Sequence, residues 1–274
     1  MASITIEDLH LFHTADREIF SRLIIHLMRD PGQSLLVMAL WLWLEVKRFP
    51  NIIAKLRNRS DFILNAMADE ATTCLQALES KTAFTSPSES TMSVTAKIIG
   101  KPISVPMITH IKFTAIAEIK TFLNNVCSLI FTDILQQVLG SLNQPLPVMS
   151  FPHLIFRNIT VISLPLSHHL PTGGLWGWSH EIKVSVDDRT MFLTFSRGYP
   201  VSESEVKELF MGCFGDCVDN VYMDESNSVD QPLFARMVVR GVSIVDDILK
   251  GSSIAKFRIN GKHVWAKKYE RRDG

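Results

Sequence analysis

Near its C-terminal end the chain gathers side chains that can lie flat against a nucleotide base. Phe192, Tyr222, Phe234 and Trp265 supply rings, Arg236 and Lys267 supply cations, and Thr194 follows Phe192 on the same side of its run. An aromatic face stacks a base for about 1–3 kcal/mol. A guanidinium plane stacks in the same way and also pairs with phosphate. Lys256, Arg258, Lys262, Lys267, Lys268, Arg271 and Arg272 make this end basic, which suits phosphate contacts that carry affinity but no sequence information. Asp187, Asp188, Asp219, Asp224, Glu225 and Asp230 oppose that charge. The expected chemistry is therefore noncovalent recognition of single-stranded RNA at modest affinity.

Other constellations fall short of a site. His168-His169 and His180 have no spaced acidic or thiol ligands beside them, and Cys213 and Cys217 lack a second pair to complete a zinc site. Gly173-Gly174-Leu175-Trp176-Gly177-Trp178 lacks the Gly-Lys-Ser/Thr ending of a phosphate-binding loop. No nucleophile elbow is present. We expect no enzyme, no metal and no cofactor.

The elements that must position the aromatic residues are legible from spacing. Residues 190–195 alternate as a strand, and Ser202 with Glu205 three positions later forms a capping box ahead of a helix carrying Val206, Leu209 and Phe210. Val218, Val221 and Met223 face inward along a second strand. Leu233, Ala235, Met237 and Val239 do so along a third, which turns Phe234, Arg236 and Val238 outward. Residues 242–249 read as a second helix, stopped by Gly251. Phe257 and Ile259 lead into Asn260-Gly261, a hairpin signal, after which Val264 and Ala266 point inward and His263, Trp265 and Lys267 outward.

These residues resemble the RNA recognition motif (RRM) family. Met191-Phe192-Leu193-Thr194-Phe195-Ser196 is similar to its first-strand signature, with Phe192 in the stacking position. Glu208-Leu209-Phe210 with Phe214-Gly215 looks like its first helix and exit, and Asn260-Gly261-Lys262 like the entry to its last strand. The third-strand signature is degraded: Phe234 holds one aromatic position, Arg236 replaces the other, and Pro232-Leu233 stands in place of a basic-Gly pair. The likeness spans about 80 residues, and plant proteins joining a helical region to a divergent C-terminal motif are a vaguer parallel. The resemblance implies that the fourth strand lies beside the first, then the third, then the second. Trp265, Phe192, Phe234 with Arg236, and Tyr222 would then form one row, with Lys267 as a phosphate contact.

Composition sets the frame. With 28 basic and 28 acidic residues among 274 the formal charge is zero, so no global field draws RNA or membrane. Four scattered cysteines fit a reduced, intracellular protein of nucleus or cytoplasm. Glu7, Asp8 and His10 interrupt any signal-peptide core. The apolar run 35–44 is half the length a bilayer needs and reads as a buried helix, so no membrane is expected.

Residues 5–139 read as mostly helical. One helix covers 6–29, a second is capped by Ser34, a third by Ser60, and a long one covers 108–139; residues 82–106 read as a loop, with 94–99 as a candidate for short order within it. Trp41 and Trp43 are two apart, so one is expected in the core and the other at an inter-helix or partner contact. The expected fold class is α+β: an N-terminal all-α helical bundle (1–142), a proline- and glycine-rich connector (143–186), and a C-terminal ferredoxin-like βαββαβ, RRM-like domain (187–271). The expected function is RNA binding on the sheet with a protein partner on the helical domain. The alternative is a protein-interaction scaffold whose sheet has lost RNA binding, its aromatics covered by connector residues such as Trp176 and Trp178.

Overall fold

A computed structural model describes residues 4–47, 49–79, 91–140, 146–147, 158–159, 165–170, 184–197, 200–224 and 232–270. The chain divides into two compact units, residues 1–108 with 118–182, and residues 109–117 with 183–274. The class is α+β, with helices in the N-terminal part and a five-stranded antiparallel sheet at the C-terminal end.

The first unit is built around the helix Pro31–Val46, twelve of whose residues are buried, Trp41 and Trp43 among them. Asp30 starts this helix by accepting from the Gln33 N–H at 2.7 Å, with Pro31 at the first helical position. Ser34, the cap expected from sequence, lies inside the helix and is buried. Both tryptophans are core residues. Trp43 adds a polar tie, its indole N–H donating to Glu118 Oε2 at 2.6 Å, while Lys47 pairs with the same carboxylate at 2.9 Å. Burying each large apolar side chain of this helix contributes about 1.5–3 kcal/mol before chain entropy is subtracted.

The N-terminal segment expected as one helix is divided. Ile6–Phe12 and Thr14–Ser21 are α-helical, and Arg22–His26 widens to a π-turn. The 108–139 segment is likewise broken at Ile111 and Phe131, with a second π-turn at Leu123–Cys127. Phe131 stacks on Phe20 at 4.1 Å, and this tertiary contact coincides with the second break. Within the stretch read as irregular, the segment set apart as short order is a helix, Ser93–Ile99, whose start is capped from afar: Glu70 accepts from the N–H groups of Val94 and Thr95 and from Thr95 Oγ1. Ile4–Thr5 pairs antiparallel with His169–Leu170, and Leu146–Pro147 with Asn158–Ile159. Among the described residues, no single helix is long and apolar enough to cross a membrane.

In the second unit the elements run β1 (Thr190–Phe195), α1 (Glu203–Phe214), β2 (Val218–Met223), β3 (Phe234–Val239), α2 (Val242–Leu249), β4 (Ile254–Ile259) and β5 (Lys262–Lys268). The strand order is β2-β3-β1-β5-β4. The residues expected only to lead into the Asn260-Gly261 turn are therefore a full fifth strand, because Ala255, Phe257 and Ile259 alternate inward opposite β5. Asn260 and Gly261 both take positive φ, 47° and 81°, as a two-residue hairpin turn requires.

One face of the sheet carries the core. Met191, Leu193, Phe210, Ala235, Met237, Val264 and Ala266 are closed off there with Val245, Ile248 and Leu249 of α2. A register shift between Val218 and Asn220 lets Val218 and Val221 both point inward although they are three apart. Residues 109–117 complete this unit. Phe113 packs on its core, and the buried Asp246 carboxylate accepts from Phe113 N–H, Thr114 N–H and Thr114 Oγ1 at 2.9, 2.9 and 2.7 Å. Burial pushes the Asp246 carboxyl above the usual aspartate range despite these bonds.

Candidate functional site

The face of the sheet opposite the core carries the candidate residues, and β1 is its axis. Phe192 stands across from Lys267 on β5 and Arg236 on β3, and Arg236 is in turn opposite Tyr222 on β2. Thr194 stands across from Trp265 and Phe234. The candidates thus share one face but occupy two rows, not the single row the resemblance implies: Lys267–Phe192–Arg236–Tyr222 and Trp265–Thr194–Phe234. Strand neighbours are about 4.8 Å apart, and successive outward residues on one strand about 6.7 Å. Along the first row cation and ring alternate.

Contacts within and between the rows hold the rings in place. Phe192 and Phe234 stack with centroids 5.4 Å apart and planes 24° from parallel. Lys267 Nζ lies 5.2 Å from the Phe192 centroid, approaching from the other flanking strand. Phe192 is thereby bracketed between a ring and an ammonium, and it is half-buried as a result of such neighbours. Arg236 lies over Tyr222 at 5.8 Å. Each such contact is worth about 0.5–1.5 kcal/mol and fixes the ring orientation before any ligand arrives. Tyr222 and Phe234 keep 51% and 37% of their surface exposed, and Trp265 is half-buried.

The face is not open along its whole length. Val238, expected outward, is buried beside Thr190, its partner across β1. Thr190 Oγ1 donates to Val186 O, so the chain turns back against this end of the sheet. The usable surface therefore begins at the Phe192–Arg236 level.

The basic residues separate into two groups. Lys262 and Lys268 point toward the core side and are engaged within the fold. Lys262 pairs with Glu205 at 3.0 Å, and Lys268 donates to the carbonyls of Asp187 and Thr190. Lys256, Arg258 and Lys267 stand exposed on the aromatic face, while Arg271, Arg272, Trp176 and Trp178 lie outside the described residues. Apart from Asp219 at the register shift, held by Arg189 at 3.3 Å, no acidic residue occupies an outward strand position among the described residues.

Three more residues join this surface: His263, which the strand alternation already turns outward, and Lys256 and Arg258, which the sequence shows only as part of a basic C-terminal end. His263 stacks on Trp265 at 5.8 Å, 22° from parallel, and stands opposite Arg258, while Lys256 stands opposite Trp265. The side on which Lys256 and Arg258 stand follows from the inward alternation of Ala255, Phe257 and Ile259. Glu205 anchors the hairpin that presents them. Besides closing the capping box with Ser202, it accepts from Asn260 Nδ2 at 3.0 Å and from Lys262 Nζ. Hydrogen bonds from the Ser202 N–H and Lys262 pull its carboxyl down to about 2.

Among the described residues, no group of three or more His, Cys, Asp or Glu side chains is placed to hold a metal. All four cysteines are free thiols, Cys213 exposed and the others buried. The chain matches no known protein-family model, no curated protein and no solved structure.

Proposed function

We propose that the chain is an RNA-binding protein, with no enzymatic role, whose C-terminal unit is a divergent RRM-like domain. In this reading the β1-α1-β2-β3-α2-β5 run is a ferredoxin-like core and β4 is an added edge strand; the order β2-β3-β1-β5 supports it. The ligand is a short stretch of unpaired RNA, its bases stacked on Phe192, Phe234 and Trp265, with Tyr222 and Arg236 at one edge, Thr194 between the rings and Lys267 on phosphate. The helical unit takes a protein partner.

One observation carries the reading: rings and cations alternate on a single sheet face that lacks outward carboxylates save one paired aspartate. Stacking supplies about 1–3 kcal/mol per base without sequence preference, and the cations supply a salt-dependent phosphate term. Neutral overall charge keeps that term local and the affinity modest.

The test is titration of the full chain with a fluorescent single-stranded hexanucleotide of mixed sequence, followed by anisotropy. Phe192→Ala/Trp265→Ala is expected to weaken binding by at least about 30-fold, the loss of two stacking faces at the low end of their range. Equal binding by the wild type and this variant, with the variant folded by circular dichroism, removes the mechanism.

A further inference from the structure

The β4–β5 hairpin adds a strand to the aromatic face and changes its electrostatics. Residues 254–268 contain five lysines or arginines and no aspartate or glutamate. At the opposite edge, Asp219 and Asp224 flank the ends of β2. The aromatic face is thus lopsided: Lys256, Arg258 and Lys267 stand exposed toward one margin, whereas β2 at the other carries no lysine or arginine and its Asp219 is paired with Arg189.

The register of β4 decides where its charge points. Phe257 packs inward against Phe210 at 5.0 Å and against Phe214, and Ile259 is buried. With these fixed, Lys256 and Arg258 must project to the aromatic side, directly opposite Trp265 and His263. Directly opposed Cβ atoms lie about 5 Å apart, well within the reach of a lysine or arginine side chain. The stacked His263–Trp265 pair is therefore rimmed by two exposed cations on the outer strand.

We infer that this hairpin is a phosphate-binding extension of the RNA site, in which Lys256 and Arg258 hold the backbone of the nucleotide whose base lies on Trp265 and His263. The inference rests on the RNA reading above and adds direction to it. The bound strand leaves the sheet across β4, over the basic margin, and not across β2.

Salt dependence separates this inference from the RNA reading itself. Each phosphate contact contributes about 0.7 to the slope of log K against log salt for single strands. Four contacts, from Arg236, Lys256, Arg258 and Lys267, predict about a 50-fold loss of affinity between 50 and 200 mM salt. Lys256→Gln/Arg258→Gln in the full chain is expected to lower the slope by about 1.4, reducing that loss to about 7-fold. A charge-matched control on the helix side of the sheet, Lys207→Gln/Lys250→Gln, is expected to leave the slope unchanged.

An unchanged slope in Lys256→Gln/Arg258→Gln, with binding still weakened by Phe192→Ala/Trp265→Ala, overturns the hairpin site and leaves the RNA reading standing. If Phe192→Ala/Trp265→Ala binds like the wild type, both fall. If a glutamate-rich peptide of equal charge displaces the hexanucleotide as well as unlabelled RNA does, the hairpin is a general acidic-ligand surface and the phosphate assignment is wrong.

Discussion

Asp246→Ala removes a carboxylate that ties residues 109–117 to helix α2, more than a hundred positions away in sequence. In the wild type this side chain, 8% exposed, accepts two helix-start N–H groups and one hydroxyl. Losing a capping acceptor costs about 1–2 kcal/mol, and each buried donor left without a partner costs about 1–3 kcal/mol. Part of this is returned, because the burial that pushes the Asp246 carboxyl up no longer opposes folding. The expected net loss is about 2–4 kcal/mol. Thr114→Val, which deletes only the hydroxyl, should cost about 0.5–1.5 kcal/mol.

Urea unfolding of the full chain, followed by tryptophan fluorescence, reads these values, and the double variant measures their coupling. The pH dependence has a definite sign. Because the folded pKa is raised, the folded chain holds the Asp246 proton more tightly than the unfolded chain does. The stability from Asp246 is therefore greatest below the ordinary value of 3.8 and falls as pH rises through the raised value. Wild type should gain on Asp246→Asn as pH drops through that window. An Asp246→Ala chain within 0.5 kcal/mol of wild type (about the smallest difference such curves resolve), or single-variant losses that simply add, would refute the reasoning.

Two further outcomes follow from the second unit. Glu205 should show the opposite pH signature: its depressed carboxyl contributes stability above the ordinary 4.5 and loses it as pH falls toward about 2. The advantage of wild type over Glu205→Gln should therefore be full at neutral pH and vanish in strong acid, as read by thermal melts across pH. Phe210→Ala empties a fully buried site between Phe214 and Phe257. It should cost about 3–5 kcal/mol in urea unfolding, and a loss under about 1 kcal/mol would mean the core collapses around the cavity.

Local signals carried the second unit far. The Ser202–Glu205 capping box, the Asn260-Gly261 turn and the inward alternation of β3 each act over a few residues, and each stands as read. What was illegible depends on residues distant in sequence. Nothing near Phe113 announces that Asp246 will cap it, or near Val94 that Glu70 will. The breaks at Ile111 and Phe131 interrupt a run whose apolar spacing reads as continuous. Trp41 and Trp43 are both buried, Trp43 reaching Glu118 on another helix, because neighbours cover the helix all round, which its unbroken apolar composition allows.

The candidate face divided along the same line. Which residues point outward followed from period-two alternation, but their grouping into two rows required the register between strands. The burial of Val238 likewise required knowing that the chain turns back at Val186.

The position of β4 at the margin of the sheet has a consequence for self-association. Its outer backbone edge has no strand beside it among the described residues, and such edges invite pairing with another copy of the chain. Lys256 and Arg258 oppose this, because an antiparallel copy would bring like charges together across the new seam. A polyanion that neutralised them would lift that repulsion. Ligand occupancy and the tendency of the sheet to grow from chain to chain are thus linked through the same two side chains.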